Sequence, residues 1–193
     1  MNTGPFVWFL QKLASAEEFI ENFKPIAMVS RFQQFNAHWV EAMKYKNIIF
    51  DIKDVLFRIE TDYEASQAEG RVVLRFIPID AGINILKACK AKSYKIFGLS
   101  NMSDGKYQCM QEQHPEVVAL FDDVIISDHV GYKKPDREMF EHLLEKHSLD
   151  QGESIFMDDN ITNVTAAVDL GFTAVVVHDF AEVTEKLKRI QVL

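Results

Sequence analysis

The chain has 193 residues, 48% of them hydrophobic, and carries a formal charge of −8 with an isoelectric point near 5.2. That length suits a domain of ordinary size with a substantial core. The acidic balance, with no Lys/Arg run longer than a pair, argues against a nucleic-acid partner. Cys89 and Cys109 stand in no CxxC or Cys/His cluster, which excludes a disulfide framework and a zinc site. No basic leader precedes the first apolar residues, and no apolar run approaches the ~18 residues of a membrane span. The expectation is a cytoplasmic protein without membrane association.

The N-terminal stretch reads as helical. Ser15 with Glu18 forms a capping-box pattern before "AEEFIENF", and Pro25 can open the next helix at its first turn. Val29, Phe32, Phe35, Trp39, Val40 and Met43 recur at helical spacing and make one broad apolar face. Residues 1–46 carry both tryptophans and are nearly neutral, whereas the acidic excess lies in the remainder. We therefore read 1–46 as an N-terminal helical extension and 47–193 as the core domain. The extension packs on that domain, covers a pocket in place of a cap, or forms a dimer face, so both a monomer and a homodimer are compatible with the sequence.

From Asn47 onward the pattern changes. "NIIFD" (47–51), "YKIFGLS" (94–100), "DVIISD" (123–128), "SIFMDD" (154–159) and "TAVVVHD" (173–179) are five candidate strands. Helical stretches are predicted near 80–91, 105–119, 136–147, 162–170 and 181–190. This alternation predicts an α/β fold, a Rossmann-like parallel sheet of about five strands with helices on both faces. Between the first strand and the helix near 80–91 lies "VLFRIETDYEASQAEGRVVLRF", which suits a short hairpin flap.

In such sheets ligands bind beyond the carboxyl ends of the strands. The first strand delivers Asp51 there, the second Ser100 and Asn101, and the fourth Asp158 and Asp159. After the third, "VGYKKPDREMF" places Lys134 before Pro135 at the mouth of a helix. Carboxylates brought together repel unless a cation lies between them, and an all-oxygen donor set favours Mg²⁺. An aspartate beside such an ion can attack phosphorus, while a hydroxyl and a lysine stabilise charge on the transferred group. Asp51, Lys53, Ser100 and Lys134 are the candidate catalytic residues, Ser100, Asn101 and Lys134 the phosphate contacts, and Asp51, Lys53, Asp158 and Asp159 the metal ligands.

The order of these segments resembles the haloacid dehalogenase-like hydrolase superfamily over about residues 47–193. "FDIKDVL" is similar to its first motif, D-x-D-G-T/V-L/V, with Asp51 in the nucleophile's place. "IFGLSN" matches the second motif at Ser100, "GYKKPDREMF" the third at Lys134, and "FMDDNITNVTAAVDLG" the fourth at Asp158, Asp159 and Asn163. Among its branches the chain looks most like sugar-phosphate phosphatases and the phosphatase domain of bifunctional epoxide hydrolases. The resemblance implies Mg²⁺ held by Asp51 and Asp158, an aspartyl-phosphate on Asp51, and hydrolysis of a small phosphorylated metabolite. It argues against the dehalogenase branch, which uses no metal and has a different fourth motif.

Two features depart from the family pattern. The second aspartate of the first motif, its general acid and base, is replaced by Lys53. Lys53 either lends only its backbone carbonyl to the metal in an active enzyme, or pairs with Asp51, Asp158 or Asp159 and displaces the metal, or points to solvent. The second of these outcomes leaves an impaired binding or regulatory protein. On an extended backbone Asp54 faces the other way and is not an obvious substitute. The interval from Asp51 to Ser100, at 49 residues, is also too short for a full-size cap domain.

Overall fold

A computed structural model describes residues 44–193 of the chain. The predicted helices of the N-terminal extension lie outside the described residues. Tyr45 is buried in the core, and the exposed Lys46 is tied to the sheet domain through its backbone. The Tyr45 hydroxyl lies 2.9 Å from Thr173 Oγ1, and Lys46 donates its backbone N–H to the Glu153 carbonyl at 2.9 Å.

Five parallel strands form the central sheet: β1 (Asn47–Phe50), β4 (Lys95–Ser100), β5 (Asp123–Ile126), β6 (Ser154–Asp158) and β7 (Thr173–Val176). Their order is β5-β4-β1-β6-β7. β1 is central, pairing Phe50 with Gly98 on one side and with Met157 on the other. The strands that follow β1 build outward on its β4 side and then on its β6 side. The order therefore reverses between β1 and β6, and a crevice opens at their carboxyl ends.

Helices cover both faces because side chains alternate along each strand. Ile48 and Phe50 of β1 pack with Ile83 and Leu86 of α2 (Asp80–Ala91) and with Val183 and Leu187 of α8 (Phe180–Arg189). Ile49, Phe97 and Phe156 face the other way, onto Met139, Phe140 and Leu143 of α6 (Arg137–His147) and Ala167 of α7 (Ile161–Asp169). Phe140 and Phe156 meet edge-to-face with centroids 5.3 Å apart.

The segment after β1 is the flap. β2 (Phe57–Thr61) and β3 (Leu74–Pro78) pair antiparallel, with Phe57 opposite Pro78. α1 (Tyr63–Glu69) joins them, capped by the Asp62 carboxylate, which accepts from Ala65 N at 3.0 Å. No full-size cap lies between β1 and β4, as the short interval implied. The free edge of β3 is closed by side chains. Gln113 Oε1 accepts from Phe76 N at 2.8 Å, Gln113 Nε2 donates to the Leu74 carbonyl at 2.7 Å, and His114 Nε2 lies 2.6 Å from the Phe76 carbonyl.

The helix expected over 105–119 is broken into α3 (Asp104–Gln113) and α4 (Pro115–Val118). His114, at φ −136° and ψ 54°, separates them, because a residue before proline is disfavoured from the helical region. The candidate strand 123–128 stops at Ile126, and Ser127–Val130 form a single helical turn, α5.

Candidate active site

Asp51 follows the last residue of β1. Its backbone N–H donates to the Met157 carbonyl at 2.8 Å, which fixes the strand end against β6. Asp158 is the last residue of β6, fully buried. Its Oδ1 accepts from Asn160 N at 2.8 Å, and the Asn163 amide donates to both carboxylate oxygens at 3.1 Å. Asn160 in turn caps α7, accepting from Thr162 N at 2.9 Å. One turn thus starts a helix and orients the aspartate that precedes it.

Lys134 reaches this pair from the loop after α5. Gly131 ends that turn at φ 79°, a left-handed conformation glycine takes without a Cβ penalty. Lys134 is buried, and its ammonium donates to Asp51 Oδ1 and to Asp158 Oδ2, both at 2.7 Å. The ammonium also lies 5.4 Å from the Phe156 ring centroid. Asn101 holds the lysine's backbone from both sides, accepting from Lys134 N at 2.7 Å and donating to Lys134 O at 2.8 Å. The Asn101 side chain is therefore engaged in positioning Lys134. Ser100, at the end of β4, lines the same crevice.

The crevice has a volume of about 180 Å³ and is lined by Asp51, Lys53, Asp54, Ser100, Asn101, Lys134, Asp159, Asn160 and Asn163. It is smaller than the ~300–1,000 Å³ of pockets that engulf whole ligands. Its size suits a charged head group, with the rest of a ligand outside. Carboxylate oxygens of Asp51, Asp158 and Asp159 lie within 4.8 Å of one another. Burial pushes the Asp51 carboxyl above its ordinary range, the Lys134 ammonium opposing and the Asp158 charge adding to the rise. Asp159 is likewise raised by burial, then by the charges of Asp158 and Asp54. Three carboxylates face one buried ammonium here, an excess of negative charge that a hard cation would neutralise.

Lys53 does not enter that cluster. Its ammonium pairs with Asp54 Oδ2 at 2.8 Å, and its side chain is 61% exposed. The hydrogen bond that Lys53 donates to Asp54, and then the Asp54 charge, raise the Lys53 pKa, with Asp159 and Asp51 adding smaller contributions. The cation bonded to Asp51 and Asp158 is Lys134.

Asp54 requires a correction. The backbone is not extended beyond β1: Leu56 and Phe57 both donate to the Ile52 carbonyl at 2.9 Å, and Asp54 stands at φ 60°. This turn brings Asp54 to the crevice beside Lys53. A left-handed conformation in a residue other than glycine is uncommon, though aspartate tolerates it. Sequence reasoning turned Asp54 away from the crevice by taking the backbone as extended, although it occupies the glycine position of the first motif.

Cys89 is fully buried in α2, and burial pushes its thiol up to about 12. Among the described residues no helix is long and apolar enough to cross a membrane.

The family model described as haloacid dehalogenase-like hydrolase matches residues 13–177. Drimenol cyclase drtB of Aspergillus calidoustus is 33% identical over 108 residues, covering 56% of this chain and 20% of the cyclase. Sesquiterpene phosphatase astK of Aspergillus oryzae is 28% identical over 107 residues, covering 55% of this chain and 54% of the phosphatase. The chain thus matches about half the length of one relative and a fifth of the other. A HAD family enzyme of Bacteroides thetaiotaomicron, solved in complex with magnesium and inorganic phosphate, has 18% identity and a TM-score of 0.57. That match covers 72% of this chain and 98% of the other, and it is a likeness of fold.

Proposed function

The chain belongs to the haloacid dehalogenase-like hydrolase family, and from that premise we propose that it hydrolyses a small phosphomonoester, with Asp51 as the nucleophile. The observation that carries this reading is the meeting of Asp51, Asp158 and Lys134 in one buried hydrogen-bonded cluster, open to a crevice the size of a phosphate head group.

The donor set fits Mg²⁺. It is all oxygen, its carboxylates lie within 4.8 Å of one another, and a cation already bonds to two of them. Asp51, Asp158, Asp159 and the Lys53 backbone carbonyl are the groups that would hold the ion. When bound, it supplies positive charge that lets a phosphate approach and polarises the phosphoryl oxygens.

The remaining roles fall to the chain itself. Asp51 attacks phosphorus and forms an aspartyl-phosphate, which water then hydrolyses. Ser100 and Lys134 stabilise negative charge on the transferred group, and Asn101 positions Lys134. Asn163 keeps the Asp158 carboxylate in place.

The rival reading is a catalytically impaired binding or regulatory protein. It draws on Lys53, whose ammonium has no lone pair with which to accept the proton of water. The Lys53–Asp54 pair at 2.8 Å speaks against one version of it, in which that ammonium occupies the metal's place.

A phosphatase panel decides between the two. It should include sugar phosphates, and a sesquiterpene monophosphate because one relative is named a sesquiterpene phosphatase. Phosphate release that requires Mg²⁺, stops with chelator and falls on the order of 10⁴-fold or more in Asp51→Asn supports the hydrolase. Release unaffected by Asp51→Asn would exclude Asp51 as nucleophile. No release from any substrate would favour the binding protein.

A further inference from the structure

The crevice has a sealed floor and an open rim that offer a ligand different chemistry. On the floor the side chains of Asp51, Lys134 and Asp158 are 10%, 1% and 0% exposed. At the rim Lys53 and Asp54 are 61% and 42% exposed. Phosphoryl transfer places the attacking and leaving oxygens roughly in line. With the attacking oxygen on the floor, the leaving oxygen must face outward, toward the rim.

Lys53 is the only cation besides Lys134 among the residues lining the crevice. An ammonium has three donors, and in Lys53 one of them is engaged with Asp54 at 2.8 Å. Two remain for a ligand. The pair with Asp54 is exposed and weak, so it tethers Lys53 at the rim without withholding it from an incoming anion.

A fixed positive charge at the exit suits a leaving group that departs as a stable anion. An alcohol leaving as alkoxide needs a proton in the transition state, whereas a phosphate needs none. We propose that the preferred substrate is an organic diphosphate, from which the site removes the terminal phosphoryl group while Lys53 binds the departing phosphate. The proposal rests on the reading of Asp51 as nucleophile and goes beyond it in the bond preferred, a phosphoanhydride over a phosphomonoester.

The steps balance as follows. An Asp51 carboxylate oxygen forms a bond to the terminal phosphorus, and the bond from that phosphorus to the bridging oxygen breaks with its electron pair on the oxygen. The organic monophosphate leaves as a dianion and takes up no proton. Water then adds to the phosphorus of the aspartyl-phosphate, and the Asp51 oxygen–phosphorus bond breaks with its pair returning to the carboxylate. Hydrogen phosphate is released, and the second proton of the water passes to solvent.

The test compares benzyl phosphate with benzyl diphosphate, using the full chain with Mg²⁺, in the parent and in Lys53→Ala, Lys53→Arg and Lys53→Asp. Expected are benzyl phosphate and inorganic phosphate as the products of the diphosphate, with no inorganic diphosphate. The ratio of kcat/KM, diphosphate over monophosphate, should fall about tenfold or more in Lys53→Ala, the size of a lost charge-assisted hydrogen bond. Arginine should restore it, and aspartate should lower it further. A separate calorimetric arm uses Asp51→Asn with methylenediphosphonate and with inorganic phosphate, where the diphosphonate should bind more tightly and Lys53→Ala should erase the difference. A ratio unchanged by Lys53→Ala, or equal binding of the two anions, overturns the proposal. Absence of turnover on both substrates defeats the hydrolase reading instead, and the calorimetric arm still decides whether Lys53 recognises the second phosphate.

Discussion

Lys134 Nζ lies 2.7 Å from Asp158 Oδ2, with both side chains sealed from solvent, and the same ammonium bonds to Asp51 at the same distance. Three charges in so little water depend on one another. Removing the lysine leaves two buried carboxylates facing each other, and breaking a buried pair in this way costs about 3–5 kcal/mol. Lys134→Met is therefore expected to unfold at markedly lower urea concentration than the parent. Added Mg²⁺ should recover part of the loss, because an ion bound at the proposed site would neutralise the same two carboxylates. Equal stability of parent and variant in chelator would contradict this account of the cluster.

Asn163 holds Asp158 by two hydrogen bonds from a single amide group, each 3.1 Å. Asn163→Ala should cost about 1–3 kcal/mol for the polar atoms left without a partner. It should also weaken Mg²⁺ binding by about 10–100-fold, the usual effect of losing a group that orients a metal ligand. Calorimetric titration with Mg²⁺ checks the second effect independently of turnover.

The flap is held by a carboxamide that acts like one residue of an added strand. Gln113 exchanges hydrogen bonds with Phe76 N and Leu74 O at 2.8 and 2.7 Å. Gln113→Ala should speed amide hydrogen exchange across Leu74–Pro78 while leaving β1 and β6 protected, because the sheet does not depend on that edge. The global stability change should be small, about 1 kcal/mol.

Asp123 supplies a pH dependence away from the crevice. Partial burial opposes its ionisation, but hydrogen bonds from Lys146 and His147, both at 2.7 Å, hold its carboxyl below the ordinary value of 3.8. Its unfolded pKa is the higher of the two, so the unfolded chain takes up the proton first as pH falls. The stabilisation is complete above 3.8 and is lost as pH drops through the folded value. Denaturation midpoints measured from about pH 5 down to about pH 2 should show a shallower acid slope in Asp123→Asn than in the parent.

The layered fold and the strand-end residues of the crevice were legible from local patterns in the chain. Strand and helix periods are local properties, and a parallel α/β sheet carries the carboxyl ends of its strands to one side. Asp51, Ser100 and Asp158 could therefore be assigned to one crevice from their places at strand ends. The five strands occur where expected, shortened by up to three residues at the crevice end.

Which charges meet depends on how distant elements pack. Lys134 is separated from Asp51 by 83 residues and from Asp158 by 24, and no local rule selects that ammonium over the one at Lys53. The turn after β1 placed Asp54 at φ 60°, a conformation its residue type does not announce, and so tied Lys53 to the rim. Gln113 reaches the flap across 37 and 39 residues for the same reason: such pairings follow from how packed elements approach in space, and sequence spacing does not record that approach.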